Sequence, residues 1–226
     1  MAVSGSTNFE LDVADYIEEA FERCGLEVRN GYDLKTAKRS MNLMFAEWAN
    51  RGLNQWTIEQ RTQVVTQGTA AYSMGTDVID VLSMVVRQGS GASQADINMS
   101  RISRDAFLSI PNKNTQARPS QFFIDRQITP EINVWPTPSN STDTLVFDVL
   151  TRLDDADKTT NTVFVPFRFY PCLAAGLAYY LAIKKAPDKV TMLKSFYEEE
   201  LARALSEDRD RASFNISPSL QNYRIG

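Results

Sequence analysis

The chain predicts an α+β fold: an N-terminal helical hairpin and two C-terminal helices packed with a central antiparallel β-rich domain, followed by an extended C-terminal arm. Three observations carry that expectation. Apolar residues recur every three or four positions in residues 10–50 and again after Pro166, they alternate every second position between residues 54 and 153, and turn-rich strings punctuate the alternating part. The expected division is residues 1–53 for the first helical pair, 54–165 for the β-rich domain, 166–212 for the second helical pair and 213–226 for the arm. The two pairs are expected to form one helical body.

Residues 10–24 place Leu11, Ala14, Ile17, Ala20 and Phe21 on one face, with Gly25 as the stop. Residues 34–50 place Leu34, Ala37, Met41, Met44, Phe45 and Trp48 likewise, with Asp33 as the expected N-cap and Arg51-Gly52 as the end. The string NGYD is read as the turn between them. A Met and aromatic stripe at this spacing is core rather than a cofactor site.

Alternation begins at Trp56 and Ile58, and strands are expected over 54–59, 63–67, 78–87, 96–102, 121–127, 131–135 and 145–153. QGTAAYSMG, QGSGASQ, the ITP break and PTPSNSTD supply turns. A short helix capped by Ser103 interrupts the strands. The polar loop PNKNTQARPS is expected to project.

PFRFYPCLAAGLAYYLAIKKAP, residues 166–187, is apolar almost without a break. Its fifteen-residue centre, 169–183, reaches about 22 Å as a helix, where a bilayer core needs about 30 Å and about twenty residues. It is therefore read as a buried helix and not a membrane span. Small residues let other helices approach, so Leu173, Ala175, Gly176, Tyr179 and Tyr180 are the candidate subunit-packing residues, with neighbouring copies expected to supply part of the wall. Pro187 opens a last helix, expected to run to about residue 213 with Val190, Leu193, Phe196 or Tyr197, Leu201 and Leu205 inward. In the arm, Phe214, Ile216, Leu220, Tyr223 and Ile225 stand among small polar residues, too few to fold alone, and are the candidate contacts with a partner or a neighbouring copy.

Composition narrows the chemistry. The 226 residues include no histidine, so imidazole metal sites and Ser-His-Asp, Cys-His or histidine acid/base schemes are excluded. Two cysteines 148 positions apart read as buried hydrophobes in a reducing compartment. A disulfide between them stays open, and a nucleophilic Cys172 has only Arg168, Lys184 and Lys185 near it in sequence. A net charge of −4 argues against tight nucleic-acid binding. The N-terminus has no basic stretch followed by an apolar core, so no secretory signal is expected. Carboxylates cluster at Asp154, Asp155 and Asp157 and at Glu198, Glu199 and Glu200. Such pairs suit a glycosidase or a divalent cation, but their spacing matches neither, and solvated charge is the better reading. No cofactor is called.

The strings ISRDAFLSIPNK, PSQFFIDRQITPEINVWPTP and VPFRFYPCLAAGLAYYLAIKKAP, behind a helical pair ending in EWANRGLNQW, give the chain a further character. In that order it resembles the head-to-tail adaptor proteins of short-tailed bacteriophages, also called tail accessory factors or head completion proteins. The resemblance covers residues 9–213. It implies a virion structural protein and no enzyme: a homo-oligomer, a dodecameric ring, bound beneath the portal protein and presenting a lower face to the tail nozzle or tube. Synthesis in the host cytoplasm and residence at the head-tail junction follow from the same likeness, with no membrane partner. Twelve copies would carry about −48, a charge that lets double-stranded DNA pass without sticking. The two acidic clusters are the candidate pore-facing groups. The competing readings are a virion hydrolase using those carboxylates and a cellular binding module with a membrane-proximal helix.

Overall fold

Asp12 starts the first helix. Its carboxylate accepts from the Asp15 N–H at 2.8 Å while the Asp15 carboxylate accepts from the Asp12 N–H at 3.1 Å, a reciprocal cap that satisfies two donors with no partner inside the helix. In the computed structural model, which describes residues 5–6, 9–51 and 55–208, helix α1 accordingly spans Val13–Arg23, three residues later than the apolar pattern suggested. Gly25 ends it with a φ of +72°, where its N–H and that of Leu26 return to the carbonyls of Glu22 and Phe21.

Helix α2 spans Gly31–Arg51. Asn30, not Asp33, fills the capping role, since its side-chain oxygen accepts from the Asp33 N–H at 3.0 Å. Asp33 lies one turn inside, buried, where its carboxylate accepts from the Arg29 N–H and from Lys185. The NGYD string is thus mostly helix, and residues 26–30 make the connection.

Ten strands follow: β1 Ile58–Val64, β2 Ala71–Ser73, β3 Val78–Gln88, β4 Ala95–Asn98, β5 Ser100–Arg101, β6 Gln116–Ala117, β7 Gln121–Asp125, β8 Glu131–Trp135, β9 Thr137–Pro138 and β10 Thr144–Thr151. They form a four-stranded antiparallel sheet in the order β1-β10-β3-β4 and a second sheet in the order β2-β8-β7-β5, in which only β5 runs parallel to its neighbour. Alternate residues of both sheets meet in one core. Val81, Met84 and Val86 of β3 and Leu145, Phe147 and Val149 of β10 are buried with Phe122 and Ile124 of β7 and Ile132 and Val134 of β8, so the β part is a small sandwich.

Several local expectations change. Trp56 sits in a 3₁₀ turn, Gln55–Thr57, because its ring packs 4.3 Å from Phe169, and one continuous strand, β1, replaces the two expected between residues 54 and 67. Helix α3, Arg104–Leu108, has the Ser103 cap the sequence indicated. The loop after it does not project: β6 pairs with β9, Trp135 Nε1 donates to the Asn112 carbonyl and Thr137 Oγ1 to that of Lys113. QGTAAYSMG holds the short strand β2 besides a turn.

Helix α4 spans Tyr170–Lys185 and α5 spans Val190–Glu207. In α5 the inward residues are Leu193, Tyr197, Leu201 and Ala204, while Phe196 faces out, and the helix ends at Glu207, short of the residue near 213 that was expected. Helix α4 packs on α1, α2 and α5 and is the centre of the helical body. The chain between β10 and α4 ties the two parts together, with Leu153, Ala156 and Val165 in the helical core, the Ala156 N–H on Asn42 Oδ1, and Asn161 and Thr159 accepting from the first turn of α1.

Candidate interaction surfaces

The residues expected to pack one subunit on another separate into two groups. Leu173, Ala175 and Gly176 are buried inside a single chain. A Cβ on Gly176 would lie 2.4 Å from Met44 Sδ and 2.8 Å from Tyr197 Cε2, so α2 and α5 close over α4 at this point. Three helices of the same chain, α1, α2 and α5, thus supply the wall around these three residues. Tyr179 and Tyr180 stay half-buried, with Tyr179 stacked on Tyr197 at 5.9 Å and Tyr180 edge-on to Tyr179 at 5.6 Å. Burial, and then the charge of Glu47, raise the Tyr180 hydroxyl above its ordinary range. Ile183 beyond them, and Met192 and Phe196 on α5, are exposed.

A polar network locks α5 to α2. Trp48 Nε1 donates to the Tyr197 hydroxyl at 2.8 Å, and that hydroxyl donates to Glu47 Oε2 at 2.6 Å. Arg51 grips Glu198 with both terminal nitrogens at 2.6 and 2.8 Å and also bonds Glu47. The guanidinium holds the Glu198 carboxyl below the usual carboxylate range.

The two acidic clusters consequently differ. Glu199 and Glu200 share Arg203 as Glu198 shares Arg51 with Glu47, so each carboxylate of the cluster on α5 bonds an arginine although the cluster keeps a net negative charge. Asp154, Asp155 and Asp157 lie exposed after β10, and none makes an ion pair among the described residues. Neither cluster joins a group of three or more metal-ligating side chains among the described residues. The thiols of Cys24 and Cys172 are free and buried. Burial pushes the Cys172 thiol up to about 12, with the charge of Glu200 adding to it, so it is no nucleophile near neutrality. No described helix is long and apolar enough to cross a membrane. The arm residues Phe214, Ile216, Leu220, Tyr223 and Ile225 lie outside the described residues.

One surface was not anticipated from the sequence. At the start of α4, Phe167 is 70% exposed and Phe9 63% exposed, and their rings stand 5.4 and 6.5 Å from that of Tyr170. Phe164 is exposed close by, on a hollow that also takes in Trp56 and Tyr170. Between this aromatic edge and α1 runs a groove of about 570 Å³, lined by Phe9, Leu11, Tyr170 and Pro171 together with Asp15, Glu18, Glu19 and Glu22. The signal lies in PFRFYP, residues 166–171, which brings Phe167 and Tyr170 together at the start of α4. Exposed and buried aromatics look alike in a sequence.

The described residues thus form a helical body locked by buried hydrogen bonds, a sandwich sewn to it, and an exposed aromatic edge. Comparison with known families gives the class, an adaptor protein. The model of the SU10 adaptor protein family matches residues 11–220, and the chain belongs to that family. Among solved structures, a chain described as the neck of an empty GTA particle computed with C6 symmetry is 9% identical, covers 84% of this chain and 93% of its own length, and superposes with a TM-score of 0.30, a distant likeness only. No match is found among curated proteins.

Proposed function

We propose that this adaptor works as a ring, of twelve copies, at the head-tail junction of a short-tailed phage, bound to the portal protein above and offering its lower face to the tail nozzle or tube. The observation that carries the reading is the family match over residues 11–220, which takes in the helical body, the sandwich and the first part of the arm. The divisions at 53/54, 165/166 and 212/213 then become a ring body, a sandwich turned toward a partner, and an arm.

Within that ring, Tyr179 and Tyr180 are the packing residues that keep surface for a neighbour, while Leu173, Ala175 and Gly176 hold α4 rigid beneath them. Asp154, Asp155 and Asp157 are the better pore-facing acids, because they make no ion pair among the described residues, whereas Glu198, Glu199 and Glu200 each bond an arginine. A lumen lined by unpaired carboxylates repels phosphates and lets the genome slide. The arm, through Phe214, Ile216, Leu220, Tyr223 and Ile225, orders on the portal or on an adjacent copy.

Removal of residues 213–226 is the direct test. The truncated chain is expected to keep its circular dichroism, since its cores lie elsewhere, yet to be missing from the portal in electron micrographs of assembled particles. Full adaptor occupancy on those particles would defeat the proposal.

A further inference from the structure

The groove between α1 and the start of α4 has a chemistry that the ring reading leaves unused. Of its four acids, Glu19 is paired with Arg23, but Glu18 and Glu22 make no ion pair among the described residues. Phe9 and Tyr170 line the same groove. In the adjoining hollow the Trp56 indole N–H is buried and has no acceptor among the described residues. A trough lined by carboxylates and aromatic rings, with a waiting donor nearby, suits an extended segment that carries both apolar and cationic side chains.

The chain contains such a segment. Residues 209–226 carry Arg209, Arg211 and Arg224 against the single acid side chain of Asp210, together with Phe214, Ile216, Leu220, Tyr223 and Ile225. The segment also starts at the right place. Asp208, at the end of α5, has a buried carboxylate that bonds Arg168 and accepts from the Gln55 N–H at 2.9 Å. Arg168 adjoins Phe167, whose ring lies 5.4 Å from Tyr170 on the groove wall. Eighteen residues span up to about 60 Å when extended, far more than this approach requires. A tethered segment meets its own groove at an effective concentration of about millimolar, which a segment from another copy has to outcompete.

We propose that in the free chain residues 209–226 dock in cis along this groove, arginines toward Glu18 and Glu22 and apolar side chains against Phe9 and Tyr170. The inference goes beyond the adaptor reading, because it concerns the unassembled protein and gives the arm a resting site that a partner must displace.

Limited trypsin digestion of the free full-length chain tests it, with cleavage after Arg211 and Arg224 followed by mass spectrometry. Docking shields both sites. The double variant Glu18→Lys/Glu22→Lys, both exposed positions, is expected to speed these cuts about tenfold. Phe9→Ala, at a side chain the fold does not bury, is expected to speed them too. Glu131→Lys, on the sandwich, is expected to leave them unchanged. Equal rates in the native chain and in the groove variants would overturn the proposal, as would protection that grows with protein concentration, which marks a segment arriving from another copy. Attachment to particles is not read in this experiment, so its failure and that of the ring reading stay distinct.

Discussion

Gly176 shows how one missing side chain sets the spacing of three helices. With hydrogen in place of Cβ, α4 lets Met44 and Tyr197 press directly on its backbone. Met44 can swing its thioether aside, but Tyr197 is held by Trp48, Glu47 and the ring of Tyr179 and cannot retreat. Gly176→Leu is therefore expected to cost about 1–3 kcal/mol in chemical denaturation, the range for overpacked cores; an unchanged midpoint would show the packing to be loose. Cys172, four residues earlier and fully buried, obeys the same enclosure. With its pKa pushed to about 12, roughly one thiol in ten thousand is ionised at about pH 8, so iodoacetamide is expected to spare it in the native protein and to modify it once urea unfolds the chain. Alkylation at the rate of a free thiol before unfolding would contradict that enclosure.

At the scale of elements, periodicity revealed α1, α2 and α5 because each turns one stripe inward, and the order of helices, strands and helices was readable for that reason. It marked α4 as enclosed as well. What it did not reveal was the source of the enclosure, since an apolar helix looks the same whether its own chain or another copy covers it. Strands β2, β6 and β9 are two or three residues long and carry no period to read. Trp56 continues the alternation of β1 yet belongs to a 3₁₀ turn, a choice made by its tertiary contact with Phe169. The end of α5 depends on partners distant in sequence in the same way. Asp208 caps it by joining Arg168 and the Gln55 N–H, which stitches three segments at one carboxylate. Asp208→Ala removes a charge-assisted pair and leaves an N–H without its acceptor. A loss of about 1–3 kcal/mol is expected, together with faster amide exchange in the last turn of α5. Exchange as slow as in the native protein would mean the turn is held by packing alone.

For the whole molecule, the distribution of titrating groups sets a pH window. Lys185 holds Asp33 below its ordinary range, Arg61 does so for Asp77, Arg87 for Asp96 and Arg51 for Glu198, while Asp125 is lowered first by Gln127 and then by Arg104. A carboxyl with a depressed pKa in the folded state contributes stability that is complete above its unfolded value, near 4, and is lost as the pH falls through the folded value. Burial raises the hydroxyls of Tyr16 and Tyr197, the latter also through its bond to Glu47. A raised group contributes stability that is complete below its unfolded value, about 10 for tyrosine, and that drains away as the pH climbs toward the folded one. Between these limits there is no histidine side chain to titrate. Urea midpoints are therefore expected to be level from about pH 5 to about pH 9, to fall below about pH 4 as the paired carboxylates take up protons, and to fall again above about pH 10. A midpoint shifting markedly between about pH 5.5 and 7.5 would show that assembly or a conformational change, and not these side chains, governs stability.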